Sequence, residues 1–189
     1  MNNHVLKLRQ IAVNQINASL KLTEELAKIE EDNKVGKVAP AEYVNRKNII
    51  SLAITEPKEA LRAIKDIQDN YHKEVDDWEM PSGAKVHDDI KVLSGLIPLN
   101  QTDLERLEDK HFDNPTMVKA ITKYAVDNNV GFVSKAITGA QKKAAFDHMV
   151  AYANGAITHS DGAQAAIMKD DENFTKIYQA VIDGKPIYQ

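Results

Sequence analysis

The residues best suited to metal chemistry in this chain are its six histidines. No HExxH arrangement occurs, and the chain has no cysteine that could join a histidine in a zinc site. The segment His87-Asp-Asp89 could contribute to a metal site, but two ligands on one exposed turn are too few to hold an ion. The sequence therefore predicts a solvated surface there, with no bound metal and no cofactor.

Three short segments carry residue types that can perform acid–base or nucleophilic catalysis. Residues 159–162 (HSDG) combine His, Ser and Asp, but the pattern is typical of a loop in which Ser160 or Asp161 caps the next helix. Asp76 and Asp77 stand in a polar stretch, and the acidic residues 170–172 suit the positive N-terminal end of the last helix. Because GxSxG, P-loop and GxGxxG motifs are also absent from the sequence, we expect no catalytic residue and no enzyme.

Composition and charge narrow the class of protein further. The 189 residues are 43% hydrophobic but only 6% aromatic, which predicts an aliphatic core. The net charge is −4, and neither the part up to Met80 nor the part after it has a basic excess, which argues against nucleic acid as a partner. The basic pair Lys142 and Lys143 has no aromatic residues interleaved. No membrane span or signal-peptide apolar stretch is present, so we expect the cytoplasm of a cell.

Helical periodicity organises the N-terminal part of the chain. Residues 3–33 lack Gly and Pro and predict one long helix, and Gly36 offers a left-handed stop. A second helix over residues 41–54 has a strongly apolar C-terminal half, which we expect to be buried. A third over residues 56–78 has one apolar stripe. Residues 1–79 are thus predicted to form an elongated helical, coiled-coil-like region, either a hairpin or a three-helix bundle.

The long first helix also carries a candidate self-association face. One apolar stripe runs along it at helical spacing and comprises Val5, Leu8, Ala12, Leu22, Leu26 and Ile29. Two interpretations remain open at this point. The stripe either pairs with a second copy of the chain or packs on the other helices of the same chain.

The second half of the chain predicts shorter helices. A hinge is expected at residues 80–83, where Pro81 and Gly83 interrupt the pattern, and residues 84–189 are expected to be a compact helical region. Its helices are predicted near residues 85–96, 102–111, 115–127, 139–154, 162–168 and 171–182. Capping boxes are predicted at 102–105 and 138–141, an N-cap at Asn114 before Pro115, and a C-cap at Gly155. The chain as a whole is therefore predicted to be all-α.

Three passages resemble a loosely defined group of proteins encoded in the structural modules of tailed phages of Gram-positive bacteria. They are residues 22–32 (LTEELAKIEED), 98–107 (PLNQTDLERL) and 113–125 (DNPTMVKAITKYA). The motifs are helix caps and amphipathic stripes, and they carry no catalytic residue over to this sequence.

The resemblance implies a role in the virion or in its assembly, most economically as a capsid scaffolding or head morphogenesis protein. Such a protein would associate with itself and with a phage capsid or other structural protein, in the host cytoplasm, in an assembling particle or virion. Weak contacts repeated over many subunits suit that role. An alternative is a phage-encoded helical binding protein that inhibits or modulates a host factor.

Overall fold

The computed structural model describes residues 2–94 and 97–183, and all regular structure within them is helical, without a β-strand. This confirms the predicted all-α class, in which a long N-terminal helix is followed by shorter ones. Among the described residues, no helix is both long and apolar enough to cross a membrane. The α-helices are α1 (Asn2–Lys34), α2 (Pro40–Thr55), α3 (Lys58–Glu79), α4 (Gln101–His111), α5 (Pro115–Asp127), α6 (Gly139–Thr158), α7 (Ala163–Lys169) and α8 (Asp171–Ile182).

The chain divides into two compact units that differ from the regions expected from the sequence. Unit 1 consists of residues 1–71 and 144–189, and unit 2 consists of residues 72–143. The divisions fall inside α3 and α6, whereas the sequence suggested regions 1–79 and 84–189 joined at residues 80–83. The reason is that α1 packs against α7, so chain segments far apart in sequence share the core of unit 1. Hinge motion at residues 80–83 stays a prediction.

The core of unit 1 is built around the N-terminal half of α1. Leu8 and Ile16 are fully buried there, together with Phe146 from α6. The Phe146 ring stacks on Tyr71 of α3, with 4.0 Å between ring centroids and 13° between planes. Burying an aliphatic side chain of this kind stabilises a fold by about 1.5–3 kcal/mol, so α1 is an integral part of unit 1.

Arg9 links α1 to the junction of α7 and α8 through hydrogen bonds and an ion pair. Its guanidinium donates to the carbonyl oxygens of Met168 (2.9 Å) and Lys169 (3.3 Å) at the end of α7. It also pairs with Asp171 at 2.7 Å and lies 4.4 Å from the centroid of the Phe174 ring. Carbonyl groups at a helix C-terminus lack intrahelical partners and attract a cation. The Arg9 side chain thus satisfies carbonyl groups at the C-terminus of α7 and contacts the first residue of α8.

The helices α1 and α2 pack against each other as a hairpin joined by residues 35–39, an arrangement that the sequence left open beside a three-helix bundle. Gly36 has φ +73°, the left-handed conformation that ends α1. Glu25 pairs with Arg46 at 3.2 Å and Glu30 pairs with Lys47 at 2.8 Å, so two ion pairs join the C-terminal half of α1 to α2. A hydrogen bond from Lys47 lowers the pKa of Glu30, and the reciprocal bond raises the pKa of Lys47.

The core of unit 2 lies between α4 and α5. Leu104, Ile121, Tyr124 and Ala125 are buried together, and the Tyr124 hydroxyl accepts a hydrogen bond from the backbone N–H of Leu99 at 3.1 Å. This packing brings the end of the loop before α4 onto α5. The two helices are therefore fixed side by side by an apolar cluster and a backbone contact.

Two of the predicted caps in unit 2 are confirmed and one is displaced. The Asn114 side chain accepts from the N–H of Met117, with Pro115 in the first turn of α5. Thr138 and Gln141 form the predicted reciprocal box at the start of α6. The box at α4 begins two residues earlier than predicted, because Asn100 and Asp103 bond each other's backbone N–H groups.

Residues 85–94 are not the α-helix that the sequence predicted, and residues 95–96 of that prediction lie outside the described residues. The chain instead forms 3₁₀ turns at Gly83–Lys85 and Asp88–Ser94. Side chains in this segment bond to backbone groups that an α-helix would use in its own hydrogen bonds. The N–H of Asp89 donates to His87 Nδ1, and the Ser94 hydroxyl donates to the Lys91 carbonyl. Bonds of this kind favour tight turns over an α-helix.

Two predictions around the end of α6 in unit 1 are wrong. Gly155 was expected to end the helix, but α6 continues to Thr158, and Gly155 lies where a side chain would collide with Gln164. The next helix was expected to be capped by Ser160 or Asp161, but its N-cap is Gly162, which makes no side-chain bond. Residues 159–162 do form the predicted loop, which connects α6 to α7.

Candidate functional site

The structure places the six residues of the candidate self-association face mostly inside unit 1. Val5, Leu8, Ala12 and Ile29 are buried, whereas Leu22 and Leu26 are half-buried. A buried stripe contacts its own chain, which matches the intramolecular alternative that the sequence left open. Self-association of the chain remains a prediction, but a surface other than this stripe has to provide it.

The outward face of α2 is such a surface, and sequence reasoning placed it in the core. Val44, Ile49 and Leu52 are 54%, 61% and 54% exposed, while Ile50 on the opposite side of the helix is buried. The apolar residues of α2 occupy both sides of the helix because successive residues are about 100° apart. Among the described residues, α1 is the element that α2 packs against most, and the side of α2 toward α1 is the buried one. We call Val44, Ile49 and Leu52 the α2 face.

Unit 2 contains an apolar groove of about 520 Å³. Its walls come from the end of α3, from α5 and from the segment that leads into α6. Phe112 and Val126 are large hydrophobic residues that stay exposed along it. The apolar side chains that line the groove are Trp78, Phe112, Pro115, Val118, Val126, Ala136 and Ile137. We call this surface the unit 2 groove.

Specific bonds fix the α3 wall of the groove. The Trp78 indole N–H donates to the carbonyl oxygen of Asp113 at 3.3 Å. The Glu79 carboxylate accepts from the backbone N–H of Gly139 at 3.3 Å, at the N-terminus of α6. A Cβ at position 139 would collide with that carboxylate, so a larger residue there would displace the Glu79 side chain from this bond. The wall is therefore preformed, which lowers the ordering cost of binding a ligand there.

A buried carboxylate holds the opposite wall. Glu108 of α4 is 3% exposed and accepts a hydrogen bond from the Ser134 hydroxyl. It also accepts from the backbone N–H groups of Lys135 (3.1 Å) and Ala136 (3.4 Å). The segment around these residues has no regular structure whose own hydrogen bonds would shape it. The Glu108 carboxylate therefore accepts the backbone hydrogen bonds that a neighbouring strand would otherwise accept, and it holds this wall in position.

Two lysines place positive charge at or near the α3 wall of the groove: Lys119 lines it, and Lys142 lies beside Trp78. The Lys119 ammonium donates to the carbonyl oxygen of Glu79 at 3.0 Å, and Lys142 lies 4.7 Å from the centroid of the Trp78 ring. A carbonyl group and an aromatic ring carry no net charge, so these contacts neutralise neither ammonium. Lys123, by contrast, pairs with Asp127 at 2.9 Å. The groove thus combines apolar walls with a border of both charges, because the Glu79 and Asp127 carboxylates line it as well as Lys119 and Lys123.

A second cluster in unit 2 assembles around Asp89. Its Oδ2 atom lies 2.7 Å from His111 Nε2 on α4 and 3.3 Å from His87 Nδ1. The two imidazole rings are 4.8 Å apart between centroids. His111 is 7% exposed, Asp89 is 22% exposed and His87 is 50% exposed, so the cluster opens to solvent on the His87 side. We call these three residues the His–Asp cluster.

Lys110 adds a positive charge beside the His–Asp cluster. Its ammonium lies 2.7 Å from Asp89 Oδ2. Bonds from Lys110, then from His111, lower the pKa of Asp89 from 3.8 to about 2. The sequence suggested two ligands on one exposed turn at residues 87–89 and no site. It missed His111, which lies 22 residues beyond Asp89 and gives no local signal. The packing of the 3₁₀ turn and of α4 against α5 brings the two residues together.

The other segments considered for chemistry serve structural roles. Asp76 forms an ion pair with Lys143 of the basic pair. Asp170 caps α8 by accepting from the N–H of Asn173 at 2.7 Å, in the position that the sequence predicted. Ion pairing and capping of this kind are ordinary uses of charged residues at helix ends.

Three features are thus candidates for a functional role: the α2 face, the unit 2 groove and the His–Asp cluster. The first two are apolar surfaces suited to other proteins, and the third is a set of metal-ligating side chains. Comparison of the chain with family models, with curated proteins and with solved structures finds no match in any of the three.

Proposed function

We propose that this chain is a non-enzymatic phage assembly protein that acts in capsid scaffolding or head morphogenesis by helix-mediated contacts. The resemblance of residues 22–32, 98–107 and 113–125 to phage structural proteins suggests the setting. The observation that carries the mechanism is the α2 face, because a helix with apolar residues on its solvent side has surface to offer another helix.

The occupant we propose for the α2 face is the α2 face of a second copy. Full burial of a Val, Leu or Ile side chain contributes about 1.5–3 kcal/mol, so completing the burial of a half-exposed one adds about 1 kcal/mol. Three such residues on each of two copies contribute about 6 kcal/mol, whereas association costs about 4–15 kcal/mol. One such contact is therefore weak. A scaffold needs weak contacts, because its many copies must assemble together and later separate.

The unit 2 groove is proposed to bind one helix of a capsid protein. Its preformed apolar walls suit the anchor residues of an amphipathic helix. Lys119 and Lys142 at the α3 wall favour a partner that carries carboxylates beside those anchors. A chain that contacts itself through unit 1 and a capsid protein through unit 2 would recruit capsid subunits to a growing assembly.

The test of self-association is sedimentation velocity over a concentration series with the variant Ile49→Glu. Ile49 is exposed, so the charge should leave the fold intact, which circular dichroism can verify. We expect concentration-dependent association in the unchanged chain and its loss in Ile49→Glu. The matched control is Val35→Glu, a similar change at an exposed hydrophobic residue in the α1–α2 connection. Deletion of α1 is unsuitable because its stripe belongs to the core of unit 1.

Equal association of Ile49→Glu and Val35→Glu would exclude the α2 face as the contact. A monomer at every concentration would contradict the scaffolding mechanism as a whole. That result would favour the second candidate, a phage-encoded protein that binds a host factor. The unit 2 groove is the observation that favours it, because a single preformed apolar groove suits one defined partner.

Binding through the groove can be tested by co-elution with the purified capsid protein of the same phage. Val126→Glu places a charge at a groove residue, whereas Val133→Glu makes the same change at an exposed valine outside it. We expect the complex to be lost only in Val126→Glu. A complex that survives this change, or is lost equally in both variants, would contradict docking in the groove.

A further inference from the structure

The His–Asp cluster provides the donor atoms that a zinc ion prefers. Two imidazole nitrogens and one carboxylate oxygen, each on a different residue, lie within 4.8 Å of one another. Zinc sites with an open position use three protein ligands of this kind and bind water in the fourth. Imidazole nitrogen is a poor ligand for Mg²⁺ and Ca²⁺, which bind oxygen. The chemistry of the donors therefore selects a transition metal rather than a hard cation.

The two donor pairs that include Asp89 are spaced close to the ligands of a tetrahedral zinc ion, and the two imidazole nitrogens lie within 4.8 Å of each other. Zinc–ligand bonds of about 2.0–2.1 Å at tetrahedral angles put neighbouring donors about 3.3 Å apart. His87 Nδ1 and Asp89 Oδ2 are already 3.3 Å apart. His111 Nε2 and Asp89 Oδ2 are 2.7 Å apart and would need to separate by about 0.6 Å as the ion takes the place of their hydrogen bond.

The two histidines differ in solvent exposure, and the difference suits the binding of an ion from solvent. His111 is buried on α4 and fixes one ligand, whereas the half-exposed His87 ring can turn onto an ion that arrives from solvent. His87 Nδ1 now accepts from the backbone N–H of Asp89 at 3.1 Å, and the ion would replace that weaker partner. The ion would thereby link the 3₁₀ turn Asp88–Ser94 to α4.

We propose that His87, Asp89 and His111 form a zinc site in unit 2. Lys110 is then a built-in competitor, because its ammonium contacts the same Oδ2 atom of Asp89 that the ion needs. The Lys110 side chain is 58% exposed, so it can move into solvent when the ion binds. The site is independent of the proposed assembly function and stabilises unit 2 whichever partner the protein has.

The experiment is isothermal titration of ZnCl₂ into the chelator-treated full chain, with visible absorption of a Co²⁺ titration as a second readout of coordination. We expect one ion per chain and the absorption of a tetrahedral cobalt centre. His87→Ala should weaken binding by more than the about 10- to 100-fold seen for loss of an outer-shell partner. His87 is half exposed, so this variant keeps the core, and His148→Ala at an exposed position of α6 is the matched control.

Lys110→Met supplies a test that loss of folding cannot imitate. Removing the competing ammonium should tighten zinc binding and raise the midpoint of thermal unfolding in the presence of zinc. Stoichiometric binding that His87→Ala weakens and Lys110→Met strengthens supports the site. The proposal is overturned if the chain binds no stoichiometric zinc, if His87→Ala binds as well as His148→Ala, or if Lys110→Met binds more weakly than the unchanged chain.

Discussion

Replacing Glu108 by alanine should destabilise unit 2 and disturb one wall of the groove. The change removes the acceptor for the Ser134 hydroxyl and for the N–H groups of Lys135 and Ala136. Lys135 is exposed, so water can replace its lost bond, and the N–H of Ala136 keeps the Ser134 hydroxyl oxygen as an acceptor at 3.3 Å. The partly buried Ser134 hydroxyl is the donor that loses its acceptor. At about 1–3 kcal/mol for a donor left unsatisfied, we expect a loss of about 1–3 kcal/mol.

Urea unfolding followed by tryptophan fluorescence measures this effect directly. Trp78 is the single tryptophan of the chain and belongs to unit 2, so its emission reports on that unit and on the groove wall. Asp109→Asn is the control, since it removes an exposed carboxylate one residue along α4. The reasoning is refuted if Glu108→Ala and Asp109→Asn lower the free energy of unfolding equally.

Glu108→Gln separates the charge from the shape of the side chain. Its amide oxygen can replace one carboxylate oxygen, but its NH₂ group would face the N–H of a neighbouring residue where an acceptor is needed. We expect a smaller loss of about 1–2 kcal/mol. A loss as large as that of Glu108→Ala would mean that the negative charge, and not the number of acceptors, fixes the segment.

Three further predictions concern other contacts. Arg9→Ala should lower the stability of unit 1 by about 1–2 kcal/mol, as loss of a helix cap does, measured by circular dichroism in urea against Lys7→Ala. The stabilising effect of Lys47 should be present between pH 4.5 and 10.5, because the pKa of Glu30 is lowered and that of Lys47 is raised on folding. The difference in melting temperature between Lys47→Met and the unchanged chain should shrink outside that window; a constant difference would exclude the ion pair. Asn114→Ala should lower the free energy of unfolding by about 1 kcal/mol through loss of the N-cap. The loss should exceed that value because the Asn114 side chain also donates to the Lys85 carbonyl at 2.6 Å. An effect no larger than that of Asn128→Ala would contradict this prediction.

Local patterns in the sequence determined most of the helices. Gly36 ends α1 because a left-handed residue is needed there, and Asn114 begins α5 because its side chain accepts from the backbone N–H of Met117 in the first turn. The box formed by Thr138 and Gln141 is equally local. Such features depend on residues a few positions apart, so their spacing in the sequence is enough to predict them.

Which apolar face becomes core was decided only by the tertiary structure. The stripe through Leu8 and the outward side of α2 look alike as patterns, yet Leu8 is buried and Ile49 is exposed. The difference arises because α7 and the start of α8 return from the end of the chain to cover α1, while α2 is covered on one side. Periodicity identifies a face that can be buried but does not say which other segment will bury it.

The candidate metal site illustrates the same limit. Residue types at 87–89 suggested an incomplete set of ligands, and the sequence could not supply the third. His111 approaches Asp89 to 2.7 Å because both the 3₁₀ turn and α4 pack against α5, an arrangement that depends on contacts between segments of unit 2. The sequence by itself determined an all-helical chain and most of its helix ends. The assembly of distant side chains into surfaces and sites required the packed structure, because packing energy acts between segments that are close in space and remote in sequence.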